Sequence, residues 1–319
     1  MLPQRFSYYY YPIIQTVRFR HHNSFIGDGQ IIGMPKLIIT GASGFIGYHA
    51  LNYFYEKGYE TLGIDKVAKE NVSPCDLTDF DSTYSVFVNF KPDFVIHLAV
   101  VMKDEEYRLI RDNLIMNLNV LEASLRVGAR RLLYMSSSTV YGLPIKDEPV
   151  DEDAKLSPLS GYAASKVATE NLVYRYCLLG LPCIIFRGFE VYGKDVTSGI
   201  VKTFVENALY KKHIKVFCYG EQKTDFTHVL DLCQAYELGL KELDPCRVYN
   251  VGSGMPRSYK ELAEVVSSVL DRDAEYLPCR EKDIAFKLYP SINRIRSYGF
   301  KPKHLDLKKG IEEVASHYR

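Results

Sequence analysis

Thr40-Gly41-Ala42-Ser43-Gly44-Phe45-Ile46-Gly47 is the stretch that most restricts how this chain can fold. It follows the apolar run Leu37 to Thr40 and opens a helix-like segment near 45–57. Glycines at such a junction let the backbone turn tightly and approach a pyrophosphate, whose charge the helix N-terminus then stabilises. The same alternation continues downstream. Runs at 60–64, 94–99, 132–136 and 183–187 are continuously apolar at their centres, as strands buried on both faces of a parallel sheet are. Helical patterns near 79–90, 105–127 and 161–180 separate them. Strand–helix alternation of this kind predicts an α/β fold with a Rossmann-like, doubly wound parallel sheet.

After Arg187 the regularity loosens. Segments 197–212 and 258–271 read as helices, and 214–219 and 247–251 as strands. Punctuation at Pro245, Gly252, Gly254, Pro256, Pro278 and Pro290 marks a smaller, loop-rich C-terminal lobe. The expected organisation is a dinucleotide-binding domain over 34–187 and a mainly substrate-binding lobe over 188–319, with about 226–252 returning to the first domain. Residues 1–33 differ in character, with Tyr8 to Tyr11 in a row and no acidic residue before Asp28. Met34-Pro35-Lys36 leads directly into the first strand, which makes Met34 a candidate start. The preceding residues are expected to be poorly ordered and without function.

A formal net charge of +1 supplies no electrostatic case for nucleic acid or an anionic membrane as partner. The seven cysteines are scattered, with no CxxC and no metal-like cluster with histidine. They are expected to be buried or free thiols of a cytoplasmic protein without a metal site.

Asp65 closes the second strand, 18 residues beyond Gly47. A carboxylate there accepts hydrogen bonds from the adenosine ribose hydroxyls and repels a 2′-phosphate, so NAD is the expected cofactor. Lys66 beside it is a cation that could partly accommodate such a phosphate. Asp76-Leu77 could bring a second carboxylate near the adenine, with helix capping the alternative duty for Asp76.

Tyr162 and Lys166 stand at i and i+4 of the stretch YAASK and share one helix face. Base chemistry at neutral pH requires the phenol, with an ordinary pKa of about 10, to be favoured in its charged form by roughly 4 kcal/mol. One cation about 4 Å away, at an effective dielectric near 20, contributes about that much. Lys166 can therefore supply the required shift by itself, and a nearby oxidised nicotinamide would add positive charge. Strand 132–136 runs into Ser136-Ser137-Ser138-Thr139, at the sheet end where open α/β folds place ligands. From there Ser137 could hold a substrate oxygen against Tyr162.

At this point the chain resembles the extended short-chain dehydrogenase/reductases of the NAD-dependent epimerase/dehydratase family. The resemblance is carried by TGASGFIG (40–47), Asp65, Asp76-Leu77, HLA (97–99), and Asn113 with LEA (121–123). It continues through SSSTVYG (136–142), YAASK (162–166), Arg187 with VYG (191–193), DFTHVLDL (225–232) and YNVGSG (249–254). It implies Ser137, Tyr162 and Lys166 as catalytic residues. Implied cofactor contacts are Gly41, Ser43, Gly44, Phe45, Ile46, Gly47, Asp65, Asp76, Leu77, Leu98, Ala99, Asn113, Tyr162 and Lys166. The implied activity is epimerisation of a nucleotide-sugar, by oxidation to a 4-keto intermediate and re-reduction, in a homodimer paired through helices 105–127 and 161–180. Leu118, Val120, Leu121, Leu125, Leu172 and Leu178 fit either that seam or the core.

Several residues depart from the family pattern. Ser138 and Thr139 occupy slots that hold acids in dehydratases, which disfavours elimination of water and leaves these two, with Ser137, as substrate contacts. Glu190 stands where the family places an asparagine that helps bind phosphates, so its carboxylate must turn away or the substrate is unusual. Lys223 and Arg280 are the cations expected to meet the substrate. The alternatives are a nucleoside-diphosphate-4-keto-sugar reductase and, in another class, a nonenzymatic NAD-binding regulator.

Overall fold

The computed structural model describes residues 33–318. The expectation for residues 1–33 falls, Gly33 apart, outside the described residues. The chain enters as β1 (Lys36–Thr40), crosses α1 (Phe45–Glu56), and continues through β2 (Glu60–Asp65) and β3 (Val72–Pro74). Next come α2 (Phe80–Phe90), β4 (Phe94–His97), α3 (Glu106–Arg126), β5 (Arg131–Ser137), α4 (Gly161–Leu178) and β6 (Cys183–Gly188). The C-terminal part supplies β7 (Glu190–Tyr192), α5 (Ile200–Glu206), β8 (Ile214–Val216), β9 (Lys223–His228), α6 (Val229–Lys241), β10 (Arg247–Val251) and α7 (Tyr259–Leu270).

Seven strands form one parallel sheet in the order β10-β6-β5-β4-β1-β2-β3. Successive side chains of a strand point to opposite faces, so an apolar run such as Leu37-Ile38-Ile39 feeds two cores. Leu37 and Ile39 pack with Ala50 and Phe54 of α1 and with Leu232 and Tyr236 of α6. Ile38 packs on the other face with Val120 and Leu121 of α3 and with Val173 and Cys177 of α4. Each such buried aliphatic side chain contributes about 1.5–3 kcal/mol, which fixes both helical layers on the sheet. Local signals set the helix starts. The Asp79 carboxylate accepts from the backbone of Asp81 and Ser82, and Ser258 with Glu261 closes a capping box on α7.

A separate core under the C-terminal lobe joins Val201, Phe204, Leu262, Val266, Ile311 and Val314. There β9 pairs with β7, with Pro256–Ser258 and with Lys287–Leu288. The strand expected over 214–219 stops at Val216, because Cys218 and Tyr219 take positive φ values of 51° and 50°, which a strand does not tolerate. The helix expected over 197–212 begins at Ile200 and passes into a π turn over Asn207–Lys211.

The expectation of free thiols is overturned at two of the seven cysteines. Cys218 and Cys279, 61 residues apart, form a disulfide, whereas Cys75, Cys177, Cys183, Cys233 and Cys246 are free thiols. Spacing along the chain carries no information on that pairing; the lobe's packing brings the two together. Among the described residues no helix is long and apolar enough to cross a membrane.

Candidate active site

The strand order reverses direction at β1, which has β2 on one side and β4 on the other. A crevice outside the carboxyl ends of the strands is the consequence of that reversal. It is a cavity of about 710 Å³ here, reaching from the glycine turn to the start of α4.

The glycine turn is shaped by contacts that leave no room for side chains. Gly41 has φ of 68°, and a Cβ on it would stand 2.7 Å from the backbone nitrogen of Ala99. On Gly47 a Cβ would stand 2.1 Å from the carbonyl oxygen of Gly41. Gly44 differs, since its nearest obstacle is that same oxygen at 3.2 Å. The turn therefore stays open on the Gly44 side. Gly44 is also the N-cap of α1, where no side chain bonds the free N–H groups and no acidic residue occupies the first turn. An uncapped helix start lined by Gly44, Phe45, Ile46 and Gly47 fits a pyrophosphate.

The adenosine end has one feature the sequence left open. Lys66 does not stand free beside Asp65, because its ammonium pairs with Asp76 at 2.9 Å. Hydrogen bonds from Lys66 and Thr78 hold the Asp76 carboxyl down at about 2. With that cation engaged, Asp65 faces the cavity as a carboxylate whose Oδ2 accepts from the Ser43 backbone N–H at 3.0 Å. The arrangement fits an unphosphorylated ribose.

Two residues position the wall between these ends. Thr40 Oγ1 accepts from the backbone N–H groups of Leu98 and Ala99, both at 3.1 Å, and bonds His97 Nδ1 at 2.6 Å. Asn113 grips the next segment from behind: Oδ1 accepts from Val101 N–H at 2.8 Å and Nδ2 donates to Val101 O at 2.9 Å. Leu77, Leu98 and Ala99 line the cavity, whereas Asn113 and Ser43 are not part of its lining.

At the chemical end, Ser137, Thr139, Tyr162 and Lys166 line the same cavity. Ser137 closes β5, and its Oγ accepts from the hydroxyl of Thr139 at 2.9 Å and from its backbone N–H at 3.2 Å. Ser138 falls outside the lining. Ser160 Oγ accepts from Ala163 N–H, which starts α4 immediately before Tyr162. One turn further, Lys166 Nζ donates to Met135 O at 2.6 Å and lies 5.7 Å from the centre of the Tyr162 ring.

The electrostatics correct the expectation that Lys166 alone lowers the phenol. Burial pushes the Tyr162 pKa up, against a hydrogen bond to Ser137 that pulls it down. Burial also lowers Lys166 to about 7, against the attraction of Glu170. Desolvation disfavours both charged forms at once, so each partner is less able to carry the charge that would help the other. Packing of α4 on β5 removes the solvent that a surface-like dielectric around the pair would require.

A buried network behind the site joins Ser136, Tyr141 and Arg187, all within the recognised motifs, to Glu170, which no motif named. Glu170 accepts from Arg187 Nε at 3.0 Å and Nη2 at 2.6 Å, and from Ser136 Oγ at 2.6 Å. Arg187 Nη1 also donates to the Tyr141 hydroxyl and to Glu152 O. For Glu170 the advance sign was an acid four residues after Lys166 on a helix that buries one face.

The two expected substrate cations are elsewhere. Lys223 pairs with Asp147 at 3.0 Å, and Arg280 forms a bidentate pair with Asp283 at 2.7 and 2.9 Å over the ring of Phe217. Neither lines the cavity. Glu190 does line it, with Oε1 accepting from Ile200 N–H at 2.9 Å.

Residues 37–252 match the model of the NAD-dependent epimerase/dehydratase family. A UDP-glucose 4-epimerase of Corynebacterium glutamicum is 27% identical over 314 residues, covering 88% of this chain and 94% of that one. The crystal structure of UDP-glucose 4-epimerase from Thermotoga maritima with UDP-glucose superposes with a TM-score of 0.79 at 25% identity, over 89% of this chain and 98% of that one. The Thermus thermophilus UDP-glucose 4-epimerase, in complex with NAD, gives 0.78 at 26% identity over 89% and 99%.

Proposed function

This chain belongs to the NAD-dependent epimerase/dehydratase family, and on that premise we propose that it is a nucleotide-sugar 4-epimerase using NAD. One observation carries the reading: Ser137, Tyr162 and Lys166 open into the same cavity as the glycine turn and Asp65. The turn and the start of α1 would hold the pyrophosphate, Asp65 the adenosine ribose, and Lys166 the nicotinamide ribose. A bound nicotinamide supplies reversible two-electron oxidation of a sugar carbon.

The chain's own groups do the rest. Tyr162 takes the proton of the C4 hydroxyl and returns it after the keto sugar has presented its other face. Ser137, already hydrogen-bonded to Thr139, holds the sugar oxygen in line with the phenol. Lys166 Nζ, fixed on Met135 O, is the cation that favours the phenolate. Because burial works against both charges, the apoprotein's tyrosine is a poor base and full activity requires a filled site.

We also infer a cytoplasmic homodimer whose two domains divide near Arg187, with about 226–252 returning to the first. Leu118 and Leu178, 43% and 53% exposed, support a seam along α3 and α4, while Val120 and Leu121 are spent in the core.

The test is a panel of UDP-, GDP-, CDP- and dTDP-sugars, read at C4 by nuclear magnetic resonance. The purified protein is expected to release NAD on heating, and Tyr162→Phe to keep that NAD while losing turnover by orders of magnitude. Wild-type activity in Tyr162→Phe would refute the assignment. Empty protein that oxidises NADPH with a keto-sugar would make it a reductase instead.

A further inference from the structure

Glu190 is a carboxyl group in the wall of the cavity with its two oxygens in different situations. Oε1 is fixed by the backbone N–H of Ile200 at 2.9 Å. That oxygen occupies space left by Gly199, where a Cβ would come within 2.2 Å of it. Oε2 makes no hydrogen bond among the described residues, while the side chain lines the cavity beside Gly188 and Gly199. The cations of the cavity wall are engaged elsewhere: Lys66 on Asp76 and Lys166 on Met135 O. Tyr259 of α7 is the titratable group that feels a charge on Glu190, and it carries no positive charge to offset one.

We infer that Glu190 reads the substrate as a neutral acid, with its proton on Oε2 donated to an acceptor oxygen of the bound nucleotide-sugar. The inference rests on the proposed function and adds the protonation state at which the substrate is recognised. An oxygen already satisfied by Ile200 N–H has no need of the proton, whereas the unpartnered one gains a hydrogen bond by carrying it. Burial favours the same state by raising the acid above the ordinary carboxylate range. An ionised Glu190 would instead present negative charge to a substrate that bears a diphosphate.

Affinity is therefore full while Glu190 is protonated and falls as pH rises through its raised pKa. The experiment titrates the NAD-loaded full-length protein calorimetrically with UDP-hexose and with UDP alone, from pH 5 to pH 9. Wild-type affinity for UDP-hexose is expected to fall at least tenfold across that range. Glu190→Gln, which keeps an acceptor for Ile200 and a permanent donor toward the cavity, is expected to bind with little pH dependence, and KM should follow the same pattern while kcat does not. A fall seen with both ligands assigns the acceptor to the diphosphate; a fall with UDP-hexose alone assigns it to the sugar. Parallel profiles for wild type and Glu190→Gln overturn the inference while leaving the epimerase reading intact. Failure of both proteins to bind any nucleotide-sugar at any pH overturns the function itself, and the inference with it.

Discussion

Replacing Glu170 by glutamine tests the buried network more sharply than any change at the catalytic residues. Glu170 and Arg187 are 7% and 4% exposed, and their fork-to-fork bonds measure 3.0 and 2.6 Å. Glutamine keeps the volume but turns one acceptor into a donor facing a guanidinium N–H. It also leaves a buried cation without its counter-charge, although Arg187 keeps the Tyr141 hydroxyl and Glu152 O. Breaking one side of such a pair costs about 3–5 kcal/mol. For a chain of this size that lowers the melting temperature on the order of 10 °C. A second consequence follows at the site. Glu170 is the group that opposes the lowering of Lys166 by burial, so the variant should hold less ammonium near pH 7 and turn over more slowly even well below its melting point. Calorimetric melting and initial rates at 25 °C read the two effects separately. The double variant Glu170→Leu/Arg187→Met should recover most of the stability, since a well-packed apolar pair replaces a costly ionic one. A single variant that melts within about 2 °C of wild type, with the double variant no better, would refute the reasoning.

Two further outcomes are expected. Lys166 has a folded pKa of about 7, below its ordinary value. The unfolded chain therefore binds a proton that the folded one lacks from there up to about pH 10. The stability of cofactor-free wild type relative to Lys166→Met should rise with pH through that window and be lowest below it; urea unfolding between pH 6.5 and 9.5 checks the sign. Gly47→Ala would press a methyl group against the Gly41 carbonyl at 2.1 Å and the Ala42 backbone at 2.7 Å. The turn must then shift, and the NAD recovered from purified protein, measured after heat release, should fall at least about tenfold.

The parts of this protein that its sequence announced are those written in neighbouring residues. Leu37 to Thr40 and Phe94 to His97 declare buried strands because a doubly covered sheet needs unbroken apolar runs, and the glycines of 41–47 declare a close approach because no other residue permits it. YAASK places a phenol and an ammonium on one face by helical spacing alone. Packing decided their charge. Tyr162 and Lys166 lose solvent together against β5, and no spacing rule reports how much water a folded chain removes. Distance along the chain hid the rest: Cys218 from Cys279, Glu170 from Arg187, Lys223 from Asp147. Such pairings depend on where whole elements dock, so the chain order fixed the sheet and the glycine turn, while the tertiary structure decided which charges face the cavity and which are paired elsewhere.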